Sequence, residues 1–508
     1  MKKGLIGVMS VAILGYVGTS IYFGSEAESQ LKKSIKGFDH LLQTQTVNVP
    51  SAPKMNLVVK NYDRGLLSSS AKLGVKLDLT GVPIPVLFDM KRMSYDFNIK
   101  INHGPFIFPL SKPGLAFVQS KIAFPAKLSQ KAKVQLTDDS TLPQFDLNLF
   151  INFDESIRIN TAIPAFTLKH KQFPGSFTWK GMTMVYDLSK ALDSVKGQGS
   201  VNGMVLKSPF GNASVAKMHM NSDIKAADYG LWVGDNEFNV PSIKVSTQGQ
   251  AMFDLSKWQM KSFANMNSGL VNIGLNMSLE RAMVMGKTYG PANIDFSLKN
   301  LDAKTFSAVQ TLTLRIKNSG ELAKEQATKL RDELNKILPK MVTRGAELSL
   351  KNVRFQMPEG QISAGLNIKV PMGTKVNSVD ELADYVKASG ELSVPMVLVD
   401  AQLVKQASRK LRHQQRDEHQ RALQAQINAG INHASEEKTI AHTSKPVSHM
   451  SRIEVKALAE QKVKTQVKKL IDNQLLIKKG ANYVFKFKFD KGHLFVNGKP
   501  FTPDMLEQ

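Results

Sequence analysis

His103 is the residue of this sequence whose type and setting come nearest to catalytic chemistry. It ends an alternating apolar segment and is followed at once by Gly104 and Pro105. Because Gly-Pro turns the chain out of a strand, one hypothesis is that the imidazole projects at a sheet rim, where a pKa near neutrality suits a general base. The other interpretation is that His103 caps a turn, and the lack of an Asp or Glu within a few residues favours it.

Other patterns resemble cofactor or metal sites but fail on spacing. Gly197, Gly199 and Gly203 miss the dinucleotide fingerprint by one residue, and Gly286-Lys287-Thr288 lacks the leading glycine of a P-loop. We expect both segments to be turns. Five of the ten histidines lie between residues 401 and 479, yet no two of these five are four residues apart, as a helical metal site requires. The sequence therefore predicts no metal site and no cofactor.

Composition narrows the functional classes further. The chain has 508 residues, no Cys, and 67 Lys and Arg against 43 Asp and Glu, a net charge of +24. Without Cys there is no disulfide, thiolate nucleophile or iron–sulfur cluster. Basic residues are spread along the chain without the aromatic pattern of an RNA-binding sheet, so nucleic acid is not an expected partner. The charge suits either attraction to anionic phospholipid headgroups or ordinary solubility.

The N-terminus predicts a membrane anchor. Residues 5–23 carry no charge and follow two lysines; as a helix they rise about 28 Å, near the roughly 30 Å of a bilayer's hydrocarbon core. The lysines place residues 1–24 as a cytoplasmic tip and single-pass anchor in a bacterial inner membrane, with the bulk of the chain in the periplasm. The anchor residues are Leu5, Ile13, Tyr16 and Phe23. The alternative, a signal peptide cleaved near Ser25-Glu26-Ala27, is disfavoured by the length of the apolar run.

The residues after the anchor alternate between apolar and polar. One such set is Val271, Ile273, Leu275, Met277 and Leu279. Alternation places one apolar and one polar face on a strand, which is typical of an antiparallel sheet that is wet on one side. Turn residues, among them Lys196 to Gly199, separate the alternating runs. Residues 348–370 predict a hairpin of long strands around Pro358-Glu359-Gly360.

Helical periodicity enters later in the chain. We predict helices over residues 320–338, where Pro339 stops the helix, at Ser378 with a capping box to Glu381, and over 403–431 and 455–471. The predicted fold class is α+β: an N-terminal transmembrane helix, a predominantly antiparallel β-sheet body and a helical C-terminal region ending in a β-hairpin. The predicted segments are 1–24, a β-rich region at 25–300, a mixed α/β region at 301–395, and the helical region with its hairpin at 396–508.

Several short motifs carry a resemblance. They are Asn61 to Ser69, which contains Arg64-Gly65; His103-Gly104-Pro105; Asp490-Lys491-Gly492; and Val496 to Pro500, which contains Asn497 and Gly498. Together and in this order they resemble the YdgA-like family of uncharacterised bacterial envelope proteins, over nearly the whole chain. The resemblance implies an inner-membrane location and a homodimer. It assigns no activity, no catalytic residue, and no role to Arg64, Gly65, His103, Gly104, Pro105, Asn497, Gly498 or Pro500.

Three functions remain as hypotheses, and the sequence does not rank the first two. The first is a non-enzymatic envelope protein that binds phospholipid or another apolar ligand in a groove along its sheet. The second is a structural or scaffolding homodimeric module that uses the helices between residues 397 and 477. The third is a hydrolase that uses His103. Since no catalytic motif occurs, we expect the protein not to be an enzyme.

Overall fold

A computed structural model of the protein describes 25, 26, 28, 29, 32, 33, 36, 54–78, 92–107, 110–123, 134–172, 174–317, 323–374, 376, 378–432, 450–502 and 504–507. The predicted anchor, with Leu5, Ile13, Tyr16 and Phe23, lies outside the described residues. Within them, no helix combines the length and the apolar character needed to cross a bilayer. The residues divide into two compact units, Met1–Thr288 with Ser297–Val342, and Tyr289–Phe296 with Thr343–Gln508.

The first unit is built mainly from strands. They are β1 Lys54–Asp63, β2 Ser68–Asp78, β3 Arg92–His103, β4 Phe106–Ile107, β5 Lys112–Pro113, β6 Ala116–Ala123, β7 Gln144–Ile151, β8 Ile157–Ile163, β9 Phe166–Lys169, β10 Ser176–Trp179, β11 Met182–Leu188, β12 Ser194–Val201, β13 Met204–Ser208, β14 Gly211–Val215, β15 Met218–Ala226, β16 Trp232–Thr247, β17 Gln250–Asn267, β18 Leu270–Val284, β19 Lys287–Tyr289 and β20 Ala292–Asp302. Two of these strands are divided between the units: the other unit takes Tyr289 of β19 and residues 292–296 of β20.

Apart from the separate two-stranded β4–β5 sheet, antiparallel pairing joins these strands into one sheet. Its main row runs β1, β2, β3, β6, β7, β8, β11, β12, β15, β16, β17, β18. A second row, β9, β10, β13 and β14, joins the main row at β16. Paired residues lie on the same side of a sheet. The pairing therefore places the apolar side chains of all strands in the main row on one face. The predicted antiparallel β-sheet body is confirmed.

One end of this face is a closed core. Its buried residues, none more than 8% exposed, are Ala71, Leu73, Phe97, Ile99, Ile101, Leu115, Ala116, Val118, Ile151, Ile157 and Leu188. Leu115 and Leu192, from connecting segments, pack with the strand residues. Ile101 faces Val118 across the β3–β6 pair, and both are fully buried. Alternating strands thus supply the core that the sequence pattern predicts.

Residues Lys196 to Gly199 differ from their predicted role as a turn, because they lie inside β12. A Cβ on Gly197 would lie 2.8 Å from the Tyr186 ring, and one on Gly199 would lie 3.0 Å from Met220. The glycines therefore make room for large side chains on the neighbouring strands, which sequence spacing does not reveal. The Gly286 segment is a turn between β18 and β19, as predicted.

The first unit also contains the helices α1 Ala303–Lys317 and α2 Ala323–Val342. The prediction that Pro339 stops α2 is wrong. Pro339 lies inside the helix, and its side chain is fully buried. A proline near the end of a helix removes few backbone hydrogen bonds, and burial of its ring offsets part of that loss.

The second unit combines antiparallel strands with helices. Its strands are β21 Glu347–Met357, β22 Gly360–Lys369, β23 Lys387–Pro395, β24 Ile477–Lys479, β25 Asn482–Asp490, β26 His493–Val496 and β27 Lys499–Pro500. Its helices are α3 Val379–Leu382, α4 Met396–Asn432, α5 Arg452–Asp472 and α6 Asp504–Glu507. The predicted hairpins, β21–β22 and β25–β26, are both confirmed.

Helices α4 and α5 pack against each other along an apolar seam. Leu411 on α4 is buried together with Val455 and Ala459 on α5. Ser451 and Glu454 form a full capping box at the start of α5, each satisfying a backbone N–H of the other. At α3, the Ser378 hydroxyl accepts from the backbone N–H of Glu381, so the predicted cap begins a single helical turn.

Candidate functional site

The structure brings the first two sequence motifs together at the closed end of the large sheet. We call Glu28, Tyr62, Arg64, Ser69 and His103 the motif cluster. His103 is only 2% exposed, so the hypothesis of an imidazole that projects at a sheet rim is wrong. The reason is register: His103 lies on the same face as Ile101, two residues before it, so its ring points into the core.

Buried polar contacts hold His103 in place. Its Nε2 lies 3.0 Å from the Ser69 hydroxyl, which is itself only 4% exposed, and its backbone N–H donates to the carbonyl of Leu67 at 3.2 Å. A hydrogen bond also links Ser69 to Tyr62, whose pKa is raised, mainly by burial. A hydroxyl beside an imidazole is the arrangement of a nucleophile and its base. Here both groups lie inside the core, which favours a structural role.

The outer side of the motif cluster is an ion network. Arg64 Nη2 and Lys32 Nζ each lie 2.7 Å from a carboxylate oxygen of Glu28. The hydrogen bond from Lys32, and next that from Arg64, lowers the pKa of the Glu28 carboxyl. The pair with Arg64 ties the residues just after the predicted anchor to the β1–β2 connection.

Gly65 and Gly104 have local conformational roles in the same motifs. A Cβ on Gly65 would lie 2.2 Å from the carbonyl oxygen of Ser68. Gly104 has a φ of 127°, which side-chain-bearing residues rarely adopt, and its N–H donates to Leu115. Pro105 follows and directs the chain into β4. These residues shape the turns around His103.

The C-terminal motif lies in the second unit and serves a separate purpose. Asn497, with a φ of 48°, accepts from the backbone N–H of Lys486 at 2.9 Å and donates from Nδ2 to the carbonyl of Gln474 at 2.8 Å. Gly498 continues the turn with a φ of 87°. Pro500 in β27 pairs with Phe495 in β26. The motif fastens the terminal hairpin to the segment after α5.

A second candidate site lies farther along the apolar face of the large sheet. Two rows of side chains cross β16, β17 and β18 there: Phe238, Met260 and Met277, and beside them Val240, Trp258 and Leu279. We call these six residues the apolar strip. Among them Val240 is buried, at 3% exposure, whereas the other five remain half-buried. The rings of Phe238 and Trp258 meet edge to face at 5.6 Å.

The apolar strip is chemically distinct from the opposite side of the same strands. Gln259 and Lys261, which alternate with Trp258 and Met260, are exposed. Large aromatic, Met and Leu side chains that stay half-buried offer apolar area and adaptable shape to a partner. The strip is therefore suited to an apolar ligand and holds no group for covalent chemistry.

Sequence reasoning singled out parts of both sites and missed others. It named Arg64, Gly65, His103, Gly104 and Pro105 but did not connect them to Ser69, Tyr62 or Glu28. Ser69 and Tyr62 stand in the same motif as Arg64, so that motif was the available signal.

Residues His433, His442 and His449 lie outside the described part of the chain. In the part that is described, no three His, Asp or Glu side chains form a group able to hold a metal.

Comparison with known proteins places the chain by family. No curated protein matches it, and neither does any solved structure. One family model, described as "Bacterial protein of unknown function (DUF945)", matches residues 1–504, nearly the full length. The match supports the resemblance inferred from the motifs at this broader level. The chain belongs to the DUF945 family of bacterial proteins.

Proposed function

We propose that the protein is a membrane-anchored envelope protein that binds phospholipid acyl chains, or another elongated apolar ligand, along the apolar strip. The observation that carries the proposal is the half-buried state of Trp258, Met260, Met277 and Leu279. On the same face at the closed end, a core that includes Leu73, Ile101 and Val118 is buried, with half-buried residues such as Leu149 and Ile159 around it. Covering apolar area contributes about 25 cal/mol per Å², so a ligand on the strip gains stabilisation that the protein's own side chains leave unused.

The proposal includes a location. The uncharged run 5–23 behind Lys2 and Lys3 anchors the chain in the inner membrane with the remainder in the periplasm, as the YdgA-like resemblance implies. Alkaline phosphatase fused after Gln508 is then active, because that enzyme works only outside the cytoplasm. A fusion of a cytoplasm-dependent fluorescent protein that is bright at the same position contradicts this location.

Lipid binding is tested on the full chain purified in mild detergent. Solvent extraction and mass spectrometry should find phospholipid or fatty acid in near-stoichiometric amount. Met260→Glu introduces a charge on the apolar strip, whereas Gln259→Glu introduces the same charge on the opposite side of β17. We expect only Met260→Glu to lose the lipid. Parent protein that purifies without lipid contradicts the proposal. So does an equal loss of bound lipid in Met260→Glu and Gln259→Glu, when both variants keep the melting temperature of the parent.

A second function, scaffolding by a homodimer, is favoured by exposed apolar residues on the helices of the second unit. Ile453 at the start of α5 is 82% exposed and Leu423 on α4 is 44% exposed. Covering such side chains in a second copy stabilises a dimer. Analytical ultracentrifugation of the parent and of Ile453→Ser separates the cases: a dimer that Ile453→Ser weakens supports scaffolding, and a monomeric parent removes it.

A further inference from the structure

An open cleft of about 560 Å³ runs along one side of the α4–α5 pair in the second unit. It is lined by Asp400, Ala401, Val404, Lys405, Ser408, Arg412, Arg452, Lys456 and Glu460. Its volume falls in the range of small-molecule sites. It lies in the other unit from the apolar strip and does not depend on it.

The charges around the cleft are unbalanced. Four cationic side chains line it, Lys405, Arg412, Arg452 and Lys456, against the carboxylates of Asp400 and Glu460. Asp400 already accepts a hydrogen bond from Tyr483 at 3.2 Å, and Glu460 lies 3.7 Å from Lys456.

Three of the four cations have no carboxylate partner in the described part of the chain. No ion pair there involves Lys405, Arg412 or Arg452. Like charges around one concavity repel each other, so a bound anion relieves an unfavourable interaction as well as forming favourable ones.

Arg412 is partly positioned for such a ligand. Its Nε donates to the backbone carbonyl of Ser408 at 3.3 Å, which holds the stem of the side chain along α4. The terminal nitrogens of a guanidinium form two parallel hydrogen bonds with a phosphate, and lysines add charge without fixed geometry. The positive end of α5 adds nothing new here, because the Glu454 carboxylate already accepts from the backbone of Ser451.

We propose that the α4–α5 cleft is a binding site for a phosphate group, with Arg412 and Arg452 as its hydrogen-bonding residues and Lys405 and Lys456 as its supporting charges. The phosphate belongs either to a soluble phosphate ester or to a phospholipid headgroup. Both sources present the same dianionic or monoanionic oxygens to the cleft.

The test uses the full chain in nanodiscs of zwitterionic lipid. Glycerol 3-phosphate is titrated by calorimetry as the soluble probe, and nanodiscs with added phosphatidic acid are the lipid probe, read out as a shift in melting temperature. Arg412→Glu and Lys405→Glu each reverse one cleft charge. Lys410→Glu is the matched control, because it makes the same change on the other side of α4. It controls for net charge.

We expect Arg412→Glu to weaken binding of one probe by about tenfold or more and Lys410→Glu to leave it within about twofold. A response to glycerol 3-phosphate assigns a soluble ester, and a response confined to phosphatidic acid assigns a headgroup. Lys405→Glu should follow Arg412→Glu, so the outcome does not depend on one variant folding. Absence of binding by the parent, or equal losses in cleft and control variants, overturns the proposal.

Discussion

The two ends of the apolar face in the first unit are made from the same kind of strand and yet end in different states. Ile101 and Val118 at one end are fully buried, whereas Met260 and Met277 on the apolar strip stay half-buried. The strands pair antiparallel in both regions. The difference lies in what packs on the strands: connecting segments supply Leu115 and Leu192 at the closed end. Alternation therefore sets which side is apolar, and the connections decide whether it is covered.

Truncation at the two ends should give the largest contrast. Ile101→Ala removes a fully buried side chain from a packed core and is expected to lower the free energy of unfolding by about 2–5 kcal/mol. Met277→Ala removes a half-buried side chain and is expected to cost about 1 kcal/mol or less. Urea denaturation followed by circular dichroism measures both. Equal losses would show that the apolar strip is packed as tightly as the closed end.

The motif cluster gives a smaller effect that also depends on burial. His103→Ala takes a partner from the buried Ser69 hydroxyl and is expected to lower the free energy of unfolding by about 1–3 kcal/mol. His219→Ala is the control, since His219 is exposed on β15 and should have little effect. Thermal melts measure the stability of both variants against the parent. A His103→Ala protein as stable as the control would contradict the structural role of this histidine.

The ion network outside the cluster gives the smallest expected effect. Arg64→Ala should lower the free energy of unfolding by about 1 kcal/mol or less, because the pair with Glu28 is partly exposed and solvent weakens it. The pKa of Glu28 is lowered in the folded protein, so the pair contributes above the ordinary carboxyl value of 4.5 and this contribution is lost as the pH falls below it. Melting curves of parent and Arg64→Ala should converge at acid pH. A gap that persists in acid would show that Arg64 acts through packing.

The sequence predicted strands, hairpins and most helices because alternation and helical spacing are local properties of the chain. Val271 to Leu279 lies in β18, and Tyr483 to Phe489 lies in β25, as their patterns indicate. The errors arise from tertiary contacts. The glycines of β12 accommodate Tyr186 and Met220, and the burial of Pro339 keeps it inside α2.

The candidate sites were less predictable for the same reason. His103 was identified from its motif, but its contact with Ser69 joins residues 34 positions apart and depends on the β2 and β3 strands being neighbours. The apolar strip combines three strands, and its half-buried state depends on which other segments pack against these strands. Neither property is present in any one segment.

Single cysteines test the contrast between the two ends most directly, because the natural chain has none. Met277→Cys on the apolar strip and Val118→Cys in the closed core are treated with a maleimide under native conditions and again in urea. We predict that Met277→Cys reacts readily in the native protein and more slowly when an acyl ligand is added, whereas Val118→Cys reacts only after unfolding. Protection of Met277→Cys equal to that of Val118→Cys, in protein freed of lipid, would contradict an open apolar strip.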